Sequence, residues 1–323
     1  MENSKDISPE NTKKIQDASS DINKIKDEVK KCFAVNAKEV VHYTDLSALI
    51  SIVKNNSLWL SDYRFLNDTN EFRDGYKILL KVLKKFSKQD FGKYNMVMKE
   101  AIESIEQENF SEKIFYVCSF STKKDDLNQW RSYASSENGV AIVFDKNIMQ
   151  NKLANFFIDT HSVIYENKGK KLEKIITDFF ANLSKLDYKF KEVSIQALYS
   201  FIEVLLTFCI CCKDNTFKLE SEVRFIVSQD RTDKSPNRLV DVDIKHRMSR
   251  NKIIPYIESQ DFYKFIEWRK IDMNSSNKLN IKEIIISPNC NNESLIKSGI
   301  ESLLISNEYK DVKITKSKIP FRG

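Results

Sequence analysis

Apolar residues in this chain fall into stretches of two-residue alternation and stretches of three-to-four-residue spacing, and the changes between them lay out its elements. Residues 1–31 are polar and contain no phenylalanine, tyrosine or tryptophan, yet Ile15, Ile22, Ile25 and Val29 recur at near-helical spacing. This predicts a disordered start leading into an amphipathic helix. Val40-Val41-His42-Tyr43-Thr44 then reads as a short strand, Asp45 as the N-cap of a helix through Val53, Asn55-Asn56-Ser57 as a turn, and Leu58-Trp59-Leu60-Ser61 as a second strand. A long helix carries Tyr76, Leu79, Leu80, Val82 and Leu83, with Asp68 and Glu71 at capping-box spacing before it. A further helical segment covers much of 90–107.

Ile114 to Ser121 is the clearest strand, aromatic and β-branched with a serine-rich end. A helix over Leu127–Ala134, a strand over Val140–Phe144 and a strand over His161–Tyr165 come next. The region 171–212 reads as two helices. The stretch Lys218 to Val227 then reads as a buried strand, followed by strands at Arg238–Val242, near Ile253–Ile254 and at Phe262–Trp268. The chain closes with a strand from Ile281 stopped by Pro288, a helix over 293–308 and a strand over Val312–Ile314. Strands and helices do not alternate regularly, and no stretch rich in glycine, proline or serine separates them. The expectation is a charged segment at 1–36 followed by one α+β domain over 37–323, with a helical insert at about 171–212.

Composition narrows the function classes. The 52 basic residues stand against 46 acidic ones, so the net charge of +6 permits a polyanionic partner without requiring one. With six glycines the chain has no glycine-rich loop of the kind that cradles nucleotide phosphates. The apolar run Phe201–Cys212 is short for a membrane span and carries Glu203, so it reads as a buried helix and no membrane partner is expected. The polar N-terminus lacks an apolar signal core, which points to the cytoplasm. The six cysteines sit in mostly apolar settings without paired knuckles, reading as small buried hydrophobes rather than disulfides or a metal ribbon; no metal is expected.

Candidate chemistry centres on Glu220-Ser221-Glu222-Val223-Arg224. Two-residue alternation places Glu220, Glu222 and Arg224 on one side of the strand, with Val223, Phe225 and Val227 on the other. A catalytic edge and a half-exposed strand with cross-paired charges both fit this pattern. His42 ends the first strand, where a structural role and a ligand-holding role are both open. Trp130 and Tyr133 lie three apart on a helix, as core residues or as a stacking surface.

Several motifs together resemble the bacterial domain-of-unknown-function family 2971. They are His42-Tyr43-Thr44, Leu58-Trp59-Leu60-Ser61, Asn67-Asp68 with Glu71, Ser119-Phe120-Ser121, Trp130 with Tyr133, Gly139, Glu220 to Arg224, Ile285 to Pro288 and Ser317 to Arg322. The strand ending in His-Tyr-Thr, followed by a helix and a short strand, is more remotely similar to the start of the ADP-ribosyltransferase superfamily. That resemblance implies a split-sheet core with helical insertions and NAD as substrate. It implies that His42, flanked by Tyr43 and Thr44, holds the nicotinamide-side ribose, that Ser119 or Ser121 lies by the nicotinamide, with Tyr133 able to stack a ring, and that Glu222 grips the ribose 2′-hydroxyl. Glu-x-Glu resembles the arginine-modifying branch, in which the role of activating the acceptor falls on Glu220; that branch starts from an arginine where this chain has His42. Arg224 would hold a carboxylate ionised or contact a phosphate. The implied activity is transfer of ADP-ribose to a macromolecular acceptor, protein or nucleic acid, by a toxin or antiphage effector. The alternatives are a nucleic-acid-binding or nuclease-like module, and a non-catalytic interaction protein in which Glu220, Glu222 and Arg224 form an ion-pair network.

Overall fold

The computed structural model describes residues 9–66, 71–107, 113–134, 137–147, 159–230, 243–249, 251–259 and 278–320. The chain is mixed α/β and divides into two compact units, a helical one (Met1–Ala34, Asp68–Glu112, Ile164–Asp214) and a sheet-bearing one (Val35–Asn67, Lys113–Val163, Asn215–Gly323).

The helical unit gathers segments far apart in sequence: α1 (Pro9–Lys30), α3 (Glu71–Phe86), α4 (Asn95–Glu106), α6 (Lys168–Leu183) and α7 (Phe190–Cys211). Helix α7 is its axis, packed by α1, α3 and α4. It is long and apolar enough to cross a membrane, but 67% of its most apolar window is buried inside the protein, as the reading of a buried helix anticipates. Ile22, Ile25 and Val29 of α1 are buried, and Lys26 and Lys30 reach Glu203 of α7 at 3.1 and 2.7 Å. Gly75 lets α3 approach α7 closely, since a β-carbon there would stand 2.8 Å from the Cys209 backbone.

The sheet unit contains ten described strands, mostly antiparallel: β1 (Glu39–Asp45), β2 (Trp59–Asp62), β3 (Lys113–Ser121), β4 (Gly139–Asp145), β5 (Asp159–Ser162), β6 (Glu222–Asp230), β7 (Lys245–Ser249), β8 (Lys252–Glu258), β9 (Ile281–Ile286) and β10 (Lys313–Lys316). Among the described strands only β9 and β10 pair in parallel. Strand β3 pairs with β6 along its whole length, from Lys113↔Asp230 to Ser121↔Glu222. Its opposite edge is shared: β2 pairs there at Val117 and Tyr116, and β1 only at Ser121. On its other edge β1 pairs with β4 along its whole length, and β2 leads away through β8 to β7.

One face of this sheet carries Val40, Cys118, Phe120, Val223, Phe225 and Ile284 into a core covered by α2 (Leu46–Asn55) and α8 (Glu293–Ser306). The other face packs Val41, Tyr43 and Ala141 against Trp130 of α5 (Leu127–Tyr133).

Four expectations need correction. The first strand does not end at His42, because β1 stays paired with β4 through Asp45 and leaves His42 in its middle. The strand expected at His161–Tyr165 lies two to three residues earlier, at Asp159–Ser162, because Val163 makes a last bond to the Glu222 carbonyl of β6 and Ile164 then turns to the Cys211 carbonyl. The stretch Lys218–Val227 is not all strand: Asn215–Glu220 forms a 3₁₀ turn, Ser221 has φ +47°, and pairing begins only at Glu222. Strand β7, unanticipated, alternates half-buried and exposed residues and has too few apolar side chains to signal itself. The capping residue Asp68, the strands expected at 238–242 and 262–268, and the motif residues Phe321 and Arg322 lie outside the described residues.

Candidate functional site

The departure of β1 from β3 exposes an edge between Val117 and Ser121, and His42 occupies it. Its Nδ1 lies 3.0 Å from the Ser119 carbonyl oxygen, while its ring tilts against Phe120 with centroids 5.5 Å apart. Burial, reinforced by the nearby Arg247 charge and opposed by the Ser119 contact, holds the imidazole below its ordinary pKa and so favours the neutral ring. Ser119 also faces the other way. Its hydroxyl donates to Glu222 Oε1 at 2.6 Å, on the sheet face opposite Phe120. Glu222 is met by its strand neighbour two residues on: Arg224 Nε donates to Oε1 at 2.8 Å and Nη2 to Oε2 at 3.0 Å. Both side chains are buried, 6% and 2% exposed, so the carboxylate is held by a two-pronged guanidinium contact and a hydroxyl. His161 of β5 stands opposite Arg224 in register, 3.6 Å from Asp159.

Glu220 belongs to a neighbouring cluster. The left-handed turn at Ser221 takes it out of register with Glu222, so the two carboxylates do not share a strand face as alternation predicts. Its carboxylate accepts from Tyr133 Oη at 2.7 Å, and its backbone carbonyl accepts from Gln129 Nε2 at 3.0 Å and Ser121 Oγ at 2.7 Å. Tyr133 is 40% exposed. Trp130 is fully buried, donating to Asp125 at 2.8 Å, and is core.

The structure thus brings His42, Ser119, Glu222 and Arg224 into one chain of contacts through Ser119, and Ser121, Glu220 and Tyr133 into a second at the start of β6. Tyr43 stands apart. It lies on the face opposite His42, its hydroxyl donates to the Lys123 carbonyl and accepts from Asp126 N–H, and its ring packs edge-on against Trp130. Burial raises its pKa, as suits a structural phenol. Thr44 pairs with Val140 in β1–β4.

Sequence reasoning missed the side of the divergence formed by β2, β8 and β7. There Arg247 donates Nη2 to Ser61 Oγ at 2.9 Å, and its guanidinium stands over the Trp59 ring at 5.7 Å. Trp59 in turn packs on Tyr256 at 4.6 Å and donates to Glu258. The Leu-Trp-Leu-Ser motif signalled half of this arrangement; Arg247, in an undetected edge strand, gave no signal.

Among the described residues no group of three or more histidine, cysteine, aspartate or glutamate side chains is placed to hold a metal ion. Comparison with curated proteins yields no match, and comparison with solved structures yields none. Residues 129–225, from α5 through the first four residues of β6, match the model of a family described as "Protein of unknown function (DUF2971)", so over this stretch, which includes Glu220, Glu222 and Arg224, the chain is similar to that family.

Proposed function

We propose that the sheet-bearing unit is an ADP-ribosyltransferase-type enzyme that takes NAD where β1 and β2 part along β3, and transfers ADP-ribose to a macromolecular acceptor. The observation that carries this reading is Ser119, whose carbonyl meets His42 and whose hydroxyl meets Glu222, linking three strands at the point of divergence. In this reading His42 and the edge of β3 position the nicotinamide-side ribose. When the C1′–N bond breaks, its electron pair leaves with nicotinamide and the sugar becomes oxocarbenium-like. An ionised carboxylate at the 2′-hydroxyl then stabilises the transition state more than the ground state. Arg224 favours the ionised form of Glu222, and a ribose hydroxyl takes over the donation that Ser119 makes to it. Glu220, on the more open cluster with Tyr133, accepts the proton from the acceptor as it attacks C1′.

The test is nicotinamide release from NAD by purified protein offered protein or nucleic-acid acceptors, comparing wild type with His42→Asn and Glu222→Gln. Activity lost in both variants, with native melting retained in the first, supports the reading. No NAD binding and no release by wild type with any acceptor sinks it.

The completeness of the Glu222–Arg224 contact favours a second reading, in which the pair is a structural keystone of a non-catalytic interaction protein. In that case the paired substitution Glu222→Leu with Arg224→Leu leaves every cellular and binding phenotype intact while the fold is kept.

A further inference from the structure

Arg247 is built differently from its neighbours. Among the described residues its buried Nε has no hydrogen-bond partner, and the guanidinium makes one hydrogen bond, to the neutral Ser61 hydroxyl. It forms no ion pair among those residues. The carboxylate on the adjoining strand, Glu258, is already engaged by Trp59 Nε1 at 3.1 Å and by Lys245 Nζ at 2.8 Å. A half-buried guanidinium costs desolvation, which among the described residues one hydrogen bond and the Trp59 ring offset only in part, and burial depresses its pKa accordingly. Yet the position is well defined: register sets Arg247 opposite Ile254, Tyr256 opposite Ser61, and Trp59 opposite Glu258, so Arg247, Trp59, Ser61 and Tyr256 share one sheet face. The Trp59–Tyr256 pair braces the guanidinium from beneath. Its charge reaches the His42 ring, which places it within electrostatic range of the β1–β3 edge.

Resting on the reading given above, we propose that Arg247, with Ser61 beside it, is the recognition point for the pyrophosphate of the dinucleotide. A planar fork without an anion among the described residues, held by a hydroxyl that accepts from it and by an aromatic ring, suits a phosphate oxygen pair. It also supplies the phosphate contact that a chain without a glycine-rich loop otherwise lacks. His42 meets the ribose and Arg247 the phosphates that follow it.

The experiment is calorimetric titration of wild type, Arg247→Gln and Arg247→Lys with three probes: NAD, nicotinamide riboside, which has no phosphate, and ADP. Arg247→Gln is expected to weaken NAD and ADP by about 10- to 100-fold, the range for one charged contact, while leaving the riboside unchanged. Arg247→Lys restores part of the loss, and wild-type affinity for NAD falls with added salt. Equal affinity of wild type and Arg247→Gln for NAD overturns the inference and leaves the NAD reading standing. So does an equal loss of NAD and riboside, provided thermal melting is unchanged. If wild type ignores NAD and riboside but binds ADP through Arg247, the nicotinamide reading falls and the anion site stands. Failure to bind any of the three overturns both.

Discussion

Two arginines on one sheet face meet opposite fates. Arg224, at 2% exposure, spends Nε and Nη2 on a carboxylate two residues away, and that carboxylate is completed by Ser119. Arg247 of β7 is half-buried and, among the described residues, donates once to a neutral hydroxyl and leaves Nε without an acceptor. Strand alternation explains the first, since residues two apart project together; among the described residues no carboxylate does the same for the second, which the proposed phosphate contact would supply. Where the charge is closed within the fold, it holds β3 to β6. Where it is open, it is free to recognise.

The sharpest way to break this contrast is Arg224→Leu, which strands a buried carboxylate. Urea denaturation is expected to show a loss of about 3–5 kcal/mol, mostly regained when Glu222 is also changed to leucine. If the single variant is neutral, Arg224 is not closed in the sense argued here. A second probe uses pH. In the unfolded chain histidine titrates near about 6.5, whereas burial and the Arg247 charge hold His42 lower in the fold. Between those two values the unfolded state binds more protons, so His42's contribution is full above about pH 6.5 and is lost as pH falls, with a slope up to about 1.4 kcal/mol per pH unit. Melting curves from pH 7 to 5 are expected to flatten in His42→Asn, and to flatten partly in Arg247→Gln. The same Arg247→Gln change is expected to move stability at pH 7 by no more than about 1 kcal/mol, because it removes one hydrogen bond and one uncompensated charge together. A loss of several kcal/mol would make Arg247 as structural as Arg224. The smallest effect belongs to Ser221→Gly. The positive φ that turns the chain into β6 suits glycine, so a gain of about 0.5–1 kcal/mol in thermal melts is expected, unless the Thr122 contacts to the Ser221 carbonyl are disturbed.

Much of the secondary structure was legible because burial and period coincide. Asp45 caps α2 by accepting from Ala48 N–H at 2.8 Å, as its place before an apolar helix implies. Leu172, Ile175, Ile176 and Phe179 line a buried helix face as their spacing requires. Ile281 to Ile286 is a strand as its apolar run suggests. Legibility failed where a single residue's backbone broke the period. Alternation put Glu220 beside Glu222, and the left-handed Ser221 between them sent it to Tyr133 instead. It failed again at β7, whose alternation is of exposure rather than of hydrophobicity.

By itself the sequence determined most of the described helices and strands and that Glu222 and Arg224 project to one side, since these follow from local period and sterics; it ended the first strand at His42, which the structure places in the middle of β1. Tertiary structure alone decided that β1 and β2 share one edge of β3 and that helices at 9–30, 71–106 and 168–211 gather into their own unit. It alone decided that Ser119 joins His42 to Glu222, and that Arg247 stands within electrostatic reach of His42, 205 positions away in the chain, without an ion pair among the described residues. Pairing partners and unpaired charges are properties of which strands meet, and no local pattern encodes a meeting between residues so far apart along the chain.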